Sequence, residues 1–204
     1  MEYEGTVYRP PSEARSLIIQ VTVGCAHNRC TFCNMYRVKK FRVRTKEEIM
    51  KDLDECRDYY GPYVSRVFFA DGDALVVKTE LLLELLAYVH KNFPYVERIT
   101  SYGTAKDVLA KSEEDLKALA AAGLEMVYIG AESGDDRVLE HIHKDVTAAQ
   151  IAAAGQKALR HQDLCDADLR PRRKKRDPGT CHQVGGADQS DESGVCLLPD
   201  TAPL

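Results

Sequence analysis

The chain has 204 residues, of which 29% are charged, and its formal net charge at pH 7 is −4. This length is enough for one domain with a hydrophobic core, and the slightly acidic balance gives no electrostatic reason to expect nucleic acid or an anionic membrane as a partner. No apolar run approaches the ~20 residues of a membrane span. The N-terminus lacks the basic and apolar regions of a secretory signal. These features predict a cytoplasmic protein whose thiols stay reduced.

Strand-like and helix-like segments alternate four times between residues 16 and 158, after an irregular lead-in over residues 1–15. The predicted strands are 16–23, 65–70, 98–102 and 125–129, and the predicted helices are 46–60, 80–92, 113–122, 135–141 and 151–159. Capping residues support the helix starts: Thr45 with Glu48, Thr79, Ser112 with Asp115, and Thr147 with Gln150. This alternation is typical of βαβ units, so the sequence predicts an α/β fold with a parallel sheet.

Four polar or glycine-containing segments follow the four predicted strands. They are the loop of residues 24–33, the turn of residues 71–73, Gly103, and residues 132–133. In parallel α/β sheets, ligands bind at the carboxyl ends of the strands. The sequence therefore predicts a ligand site at this edge of the sheet.

The first of these segments contains Cys25, Cys30 and Cys33 at C-x4-C-x2-C spacing. Three thiolates this close can bind one iron–sulfur cluster and leave one coordination position for a small molecule. Two alternatives remain from the residues alone: a zinc site completed by His27, and buried thiols without any ligand. A disulfide framework is not expected, because nothing indicates a secreted chain.

The run Gly-Cys-x4-Cys-x-Phe-Cys after a first strand resembles the radical S-adenosylmethionine (radical SAM) superfamily. The residues around the cysteines are most similar to Elp3-like and coproporphyrinogen-oxidase-like members. That family has C-x3-C-x2-C with an aromatic residue before the last cysteine. Here Phe32 takes the aromatic position and the first gap is one residue longer. The resemblance implies a partial parallel (βα) barrel, with about four βα units present and strands five and six missing.

The resemblance also implies the chemistry. A [4Fe-4S] cluster held by Cys25, Cys30 and Cys33 would bind SAM. One electron, from a flavodoxin-like or ferredoxin-like donor, would cleave SAM to a 5′-deoxyadenosyl radical that attacks an unknown substrate. No residue is assigned as a catalytic acid or base. A non-catalytic iron–sulfur or zinc protein is the alternative function.

Further SAM contacts are implied at positions that match the family's motifs, in addition to Phe32. The turn Asp71-Gly72-Asp73 lies where the family binds the methionine amino group, and a plain strand-end turn is the alternative. Glu132 would accept hydrogen bonds from the ribose, although it also lies in a cluster of helix-capping residues. Lys144 would meet the SAM carboxylate, with a solvated surface lysine as the alternative.

Residues 159–204 differ sharply from the core of residues 16–158. The tail lacks Phe, Tyr and Trp and contains the basic run from Arg172 to Arg176. Such a composition predicts disorder. Its possible codons, shifted by one nucleotide, allow a strand with a glycine-rich turn and then an amphipathic helix. We therefore expect an out-of-frame or truncated tail that impairs activity, or in the extreme a nonfunctional product.

Overall fold

The computed structural model describes residues 1–162 and 196–198, and it contains an α/β fold. The strands are β1 (Leu17–Gln20), β2 (Thr22–Val23), β3 (Arg42–Val43), β4 (Arg66–Ala70), β5 (Arg98–Gly103), β6 (Leu124–Gly130) and β7 (Cys196–Leu198). The helices are α1 (Lys46–Tyr60), α2 (Thr79–Asn92), α3 (Ala105–Ala110), α4 (Glu113–Ala121), α5 (Asp136–His141) and α6 (Ala148–Gln162).

Five strands form one parallel sheet in the order β1-β4-β5-β6-β7. Leu17 is in register with Val67, and Arg66 with Arg98. The connections from β1 to β4, from β4 to β5 and from β5 to β6 each contain at least one helix. The four predicted strands and their parallel arrangement are thus confirmed.

The first predicted strand, residues 16–23, is split in two. β1 belongs to the main sheet, whereas β2 pairs with β3 in a separate antiparallel ribbon, with Val23 in register with Arg42. Arg44 holds the chain at the split, because its Nη1 donates both to Gln20 O at 2.8 Å and to the buried Asp52 at 2.5 Å. A contact between residues this far apart leaves no local signal in the sequence.

The predicted helix caps are largely confirmed. Reciprocal capping boxes join Thr45 to Glu48 and Ser112 to Asp115. Thr79 is not a cap; it is the first residue of α2, whose N-cap is Lys78 and makes no side-chain hydrogen bond. The six-residue helix α3 was not predicted, since it offers little hydrophobic periodicity.

The two faces of the sheet are covered differently. The helices pack on one face, against Ile19, Val67, Phe69, Ile99, Val127 and Ile129. We call the opposite side the open face, and it carries Ile18, Phe68, Ala70 and Tyr128 with Tyr102 and Met126 beside them. Alternation along each strand assigns consecutive residues to opposite faces.

The lead-in covers part of the open face. Tyr3 Oη donates to Ile18 O at 3.1 Å, and a short 3₁₀ helix, Pro11–Glu13, brings in a fully buried carboxylate. Glu13 accepts hydrogen bonds from Arg98 at 2.8 Å and from Tyr128 Oη at 2.5 Å. A buried carboxylate needs such partners to offset the loss of water, so the lead-in is an integral part of the fold.

The short strand β7 lies beside β6, with Tyr128 in register with Cys196. The four predicted strands form the sheet, and β7 adds three residues to its edge. This short strand bonds backbone groups of β6 that would otherwise be unpaired at the edge of the sheet. Residues 159–162 of the predicted tail form the end of α6, and residues 163–195 and 199–204 lie outside the described residues. No helix in the part of the chain that the structure describes is long and apolar enough to cross a membrane.

Candidate functional site

The three cysteines lie on the loop between β2 and β3, which we call the cysteine loop (residues 24–41). The β2–β3 ribbon closes this loop at its base. Cys25, Cys30 and Cys33 are free thiols, and each is half-buried. Phe32, predicted to contact SAM, lies on the same loop with 48% of its surface exposed.

One guanidinium group contacts the backbone of the cysteine loop at three points. Arg37 Nε donates to Cys33 O at 3.0 Å, Nη1 donates to Asn28 O at 3.1 Å, and Nη2 donates to Cys30 O. Asn28 has a positive φ of 40°, and its side-chain amide donates to Tyr36 O at 2.9 Å. Contacts made by the chain itself therefore shape the loop.

The electrostatics of the thiols couple neighbouring cysteines of the loop. Burial raises the pKa of Cys25, and the charges of Asp73 and Cys30 add to this, while backbone N–H groups of Asn28 and His27 oppose it. Burial likewise raises the pKa of Cys30; Lys144 opposes the rise and Cys33 adds to it. Each cysteine thus interacts with the next along the loop.

The chemistry of the three cysteines fits an iron–sulfur cluster, whose protein ligands are thiolates. Within the described residues, no three His, Cys, Asp or Glu side chains are placed around one metal ion. His27, the predicted alternative zinc ligand, has Nε2 2.7 Å from the His143 carbonyl oxygen. An iron–sulfur cluster is bound by thiolates spread over its several irons, so its ligands need not converge on one point. The half-buried thiols of this loop fit that requirement.

Asp71, at the end of β4, is fully buried and ties this strand to the cysteine loop. Its Oδ2 accepts hydrogen bonds from Gly24 N at 3.0 Å, from Gln20 Nε2 at 3.1 Å and from Lys39 Nζ at 2.5 Å. Lys39 thus already provides an ammonium to this oxygen. Only Oδ1, which has no hydrogen-bond partner among the described residues, is left for the predicted contact with SAM.

Gly72 and Asp73 complete the predicted turn. A Cβ on Gly72 would lie 2.4 Å from the buried ring of Tyr36, so this position requires glycine. Asp73 is 2% exposed, and its Oδ1 has no hydrogen-bond partner in the described part of the chain. Burial raises the pKa of Asp73 to about 9, and the neighbouring Asp107 carboxyl adds to the rise. Asp73 therefore carries a proton at neutral pH.

We expect Asp73→Asn to stabilise the fold increasingly as the pH rises. The folded-state pKa of Asp73, about 9, lies above its ordinary value of 3.8, so ionisation favours the unfolded chain between these two values. The gain at pH ~8 should exceed about 1 kcal/mol, since one pKa unit corresponds to about 1.4 kcal/mol. Urea unfolding at pH ~4 and ~8 measures it. An unchanged pH dependence would refute the assignment, and Asp58→Asn, at an exposed site, is the control.

Glu132 and Lys144 were predicted as separate SAM contacts, and the structure joins them. Lys144 Nζ lies 2.9 Å from Glu132 Oε1, with both side chains less than one-fifth exposed. A Cβ on Gly130 would lie 2.3 Å from the same carboxylate oxygen. Both side chains also influence the pKa of Cys30, so the pair lies beside the cysteine loop.

The segment that carries Lys144 is fixed to the cysteine loop by further contacts. Thr31 N donates to Ile142 O at 3.0 Å, and Arg29 forms an ion pair with Asp145. The loop after β2, the turn after β4 and the segment after β6 therefore meet at one edge of the sheet, as the sequence predicted.

The fold and the site define an α/β protein in which cysteine, carboxylate and lysine side chains gather at the carboxyl edge of a parallel sheet. Residues 19–165 match the family model of the Radical SAM superfamily. The chain therefore belongs to the radical SAM superfamily, a family of enzymes.

The chain is also similar in sequence or structure to three known proteins. An uncharacterized methyltransferase of Pyrococcus horikoshii, PH0819, is 24% identical over 135 residues, which are 65% of this chain and 28% of that protein. The radical SAM methyltransferase TsrM of Kitasatospora setae, solved with cobalamin and a [4Fe-4S] cluster, is 17% identical with a TM-score of 0.54, covering 72% of this chain and 29% of TsrM. Coproporphyrinogen III oxidase of Escherichia coli is 17% identical with a TM-score of 0.51, covering 70% and 33%.

These structural likenesses confirm the fold class, a partial parallel (βα) barrel. The chain spans only about 28–33% of the length of these relatives.

Sequence reasoning missed three residues of the site. Lys39 and Arg37 lie in a basic segment whose composition is typical of an exposed surface, and Asp107 lies on the unpredicted helix α3. The partner of Lys39 is 32 residues away, those of Arg37 are 4 to 9 residues away, and that of Asp107 is 34 residues away. The only available signal was that residues 24–46 contain seven Lys or Arg and no Asp or Glu.

Proposed function

We propose that this chain is the core of a radical SAM enzyme, which binds a [4Fe-4S] cluster and SAM for reductive cleavage to a 5′-deoxyadenosyl radical. The observation that carries the proposal is the cysteine loop, which holds three free, half-buried thiols electrostatically coupled to Asp73, Glu132 and Lys144. When bound, the cluster would supply the electron that breaks the carbon–sulfur bond of SAM.

The side chains of this protein would bind the cluster and SAM and orient them. Cys25, Cys30 and Cys33 would each give up a proton and bind iron as thiolates. Asp73 would exchange its proton for the cationic amino group of SAM, since its buried Oδ1 has no other hydrogen-bond partner among the described residues. The half-exposed ring of Phe32 offers an apolar contact surface.

Glu132 and Lys144 would open their ion pair toward the ribose hydroxyls and the carboxylate of SAM, respectively. Each ion already has a partner of opposite charge, so neither is stranded before SAM binds. Asp71 and Gly72 act mainly on the protein, by fixing the loop base and by packing on Tyr36.

The substrate and the electron donor belong to the same proposal. We propose a small flavodoxin-like or ferredoxin-like protein as donor, because reductive cleavage of SAM needs one electron from a reductant. The substrate stays unassigned, since substrate contacts depend on loops and segments grafted on the fold.

The test is anaerobic reconstitution with iron and sulfide, followed by calorimetry with SAM. We expect about four irons per chain, as a [4Fe-4S] cluster requires, together with iron–thiolate absorption and SAM binding. Bound iron without SAM affinity would support the non-catalytic iron–sulfur protein instead. Zinc in place of iron, or no metal at all, would overturn the proposal. The amount of 5′-deoxyadenosine formed then measures how far the tail impairs activity.

A further inference from the structure

We infer that Arg37 is a positioning residue for the iron–sulfur cluster: it binds three backbone carbonyls and so fixes the part of the cysteine loop that carries the thiols. This inference rests on the proposed function. Arg37 matches no motif that the family resemblance supplied, and it lies four residues after Cys33.

The geometry matches one nitrogen to one carbonyl. Nε, Nη1 and Nη2 contact the carbonyls of Cys33, Asn28 and Cys30, respectively. A guanidinium offers donors in a planar, rigid fork, whereas a lysine ammonium offers them from a single atom. Three carbonyls contacted by three different nitrogens therefore select arginine at this position.

The backbone that Arg37 holds also contributes N–H groups to the thiols, through the neighbouring peptide groups. Asn28 gives its carbonyl to Arg37 and its backbone N–H to Cys25. Its left-handed φ of 40° turns the chain at this point, and asparagine tolerates that region. Hydrogen bonds to cluster sulfurs tune the reduction potential, and groups behind the ligands hold them in place.

Charge pairing sets Arg37 apart from its neighbours. Of the seven Lys or Arg residues between 24 and 46, five pair with carboxylates: Arg29, Lys39, Arg42, Arg44 and Lys46. Arg37 forms no ion pair with any residue that the structure describes, and its three hydrogen bonds are to carbonyl oxygens. Its function is therefore in the shape of the loop rather than in neutralising a carboxylate.

The test compares Arg37→Gln and Arg37→Lys with Lys40→Gln. Lys40 is exposed on the same loop, so its variant removes one positive charge and leaves the carbonyl contacts intact. After reconstitution, we expect both Arg37 variants to lose iron to a chelator about 10–100-fold faster than wild type. Removing a group that holds metal ligands in place typically weakens metal binding by such a factor. The electron paramagnetic resonance spectrum of the remaining cluster should also change, while Lys40→Gln matches wild type in both measurements.

Melting temperatures of the metal-free chains separate positioning from folding, and we expect them to be unchanged. Iron retention and spectra equal to wild type in both Arg37 variants would overturn the inference and leave the proposed function standing. An equal loss in Lys40→Gln would also overturn it, because charge alone would then explain the effect. Failure of the wild-type chain to bind iron would overturn the proposed function, and this inference with it.

Discussion

Lys39→Met is expected to cost about 3–5 kcal/mol of folding free energy, the usual result when one partner of a buried ion pair is removed. Lys39 is 7% exposed and its partner Asp71 is fully buried. Gln20 and Gly24 would still donate to the carboxylate, but both are neutral and cannot balance its charge.

Chemical denaturation of the metal-free chain measures this cost. Lys40→Met makes the same chemical change at an adjacent exposed residue, and we expect it to shift the free energy by less than about 0.5 kcal/mol. Adding Asp71→Asn to Lys39→Met removes the stranded charge and should recover part of the loss. If Lys39→Met were as stable as Lys40→Met, the ion pair would not contribute as the structure indicates.

Cys30→Ser is expected to abolish stable cluster binding and, with it, SAM cleavage. Cys30 is the middle cysteine of the C-x4-C-x2-C pattern, and its thiol is electrostatically coupled to both Cys25 and Cys33. A serine hydroxyl does not ionise near neutral pH and is a poor ligand for iron compared with a thiolate. Iron and sulfide analysis after reconstitution should fall below about one-tenth of the wild-type content.

Cys56→Ser is the matched control for this change. Cys56 is buried in α1, within the hydrophobic core and outside the cysteine loop. Its replacement should lower stability modestly, because a hydroxyl is buried among apolar groups, and leave the iron content unchanged. Equal iron content in Cys30→Ser and wild type would contradict the ligand assignment.

The features predicted well from the sequence are those encoded within a few residues. Capping boxes such as Thr45 with Glu48 connect positions three residues apart. The apolar run of β4 indicates a strand that is buried on both faces of the sheet. Parallel topology then follows from the alternation of strands and helices. The same rule placed the cysteine loop, the turn at Asp71 and the segment around Glu132 at one edge.

The features missed are those that depend on distant partners. The split between β1 and β2 depends on Arg44 reaching Gln20 and Asp52. The pairing of Glu132 with Lys144, which were predicted as separate cofactor contacts, was not foreseen. Asp71 was assigned to SAM from its motif position, yet its neighbours Lys39 and Gln20 are set by the fold. Sequence spacing cannot show which of several partners a buried carboxylate meets.

The lead-in shows that the folded unit begins earlier in the chain than the match to the family model. The family match begins at residue 19, whereas Glu13 is fully buried and bonded to Arg98 and Tyr128. A shortened chain that starts where the pattern starts would strand the Arg98 charge and uncover the aromatic surface of the sheet. Cooperative unfolding should therefore include the first sixteen residues, and any minimal version of this domain must keep them.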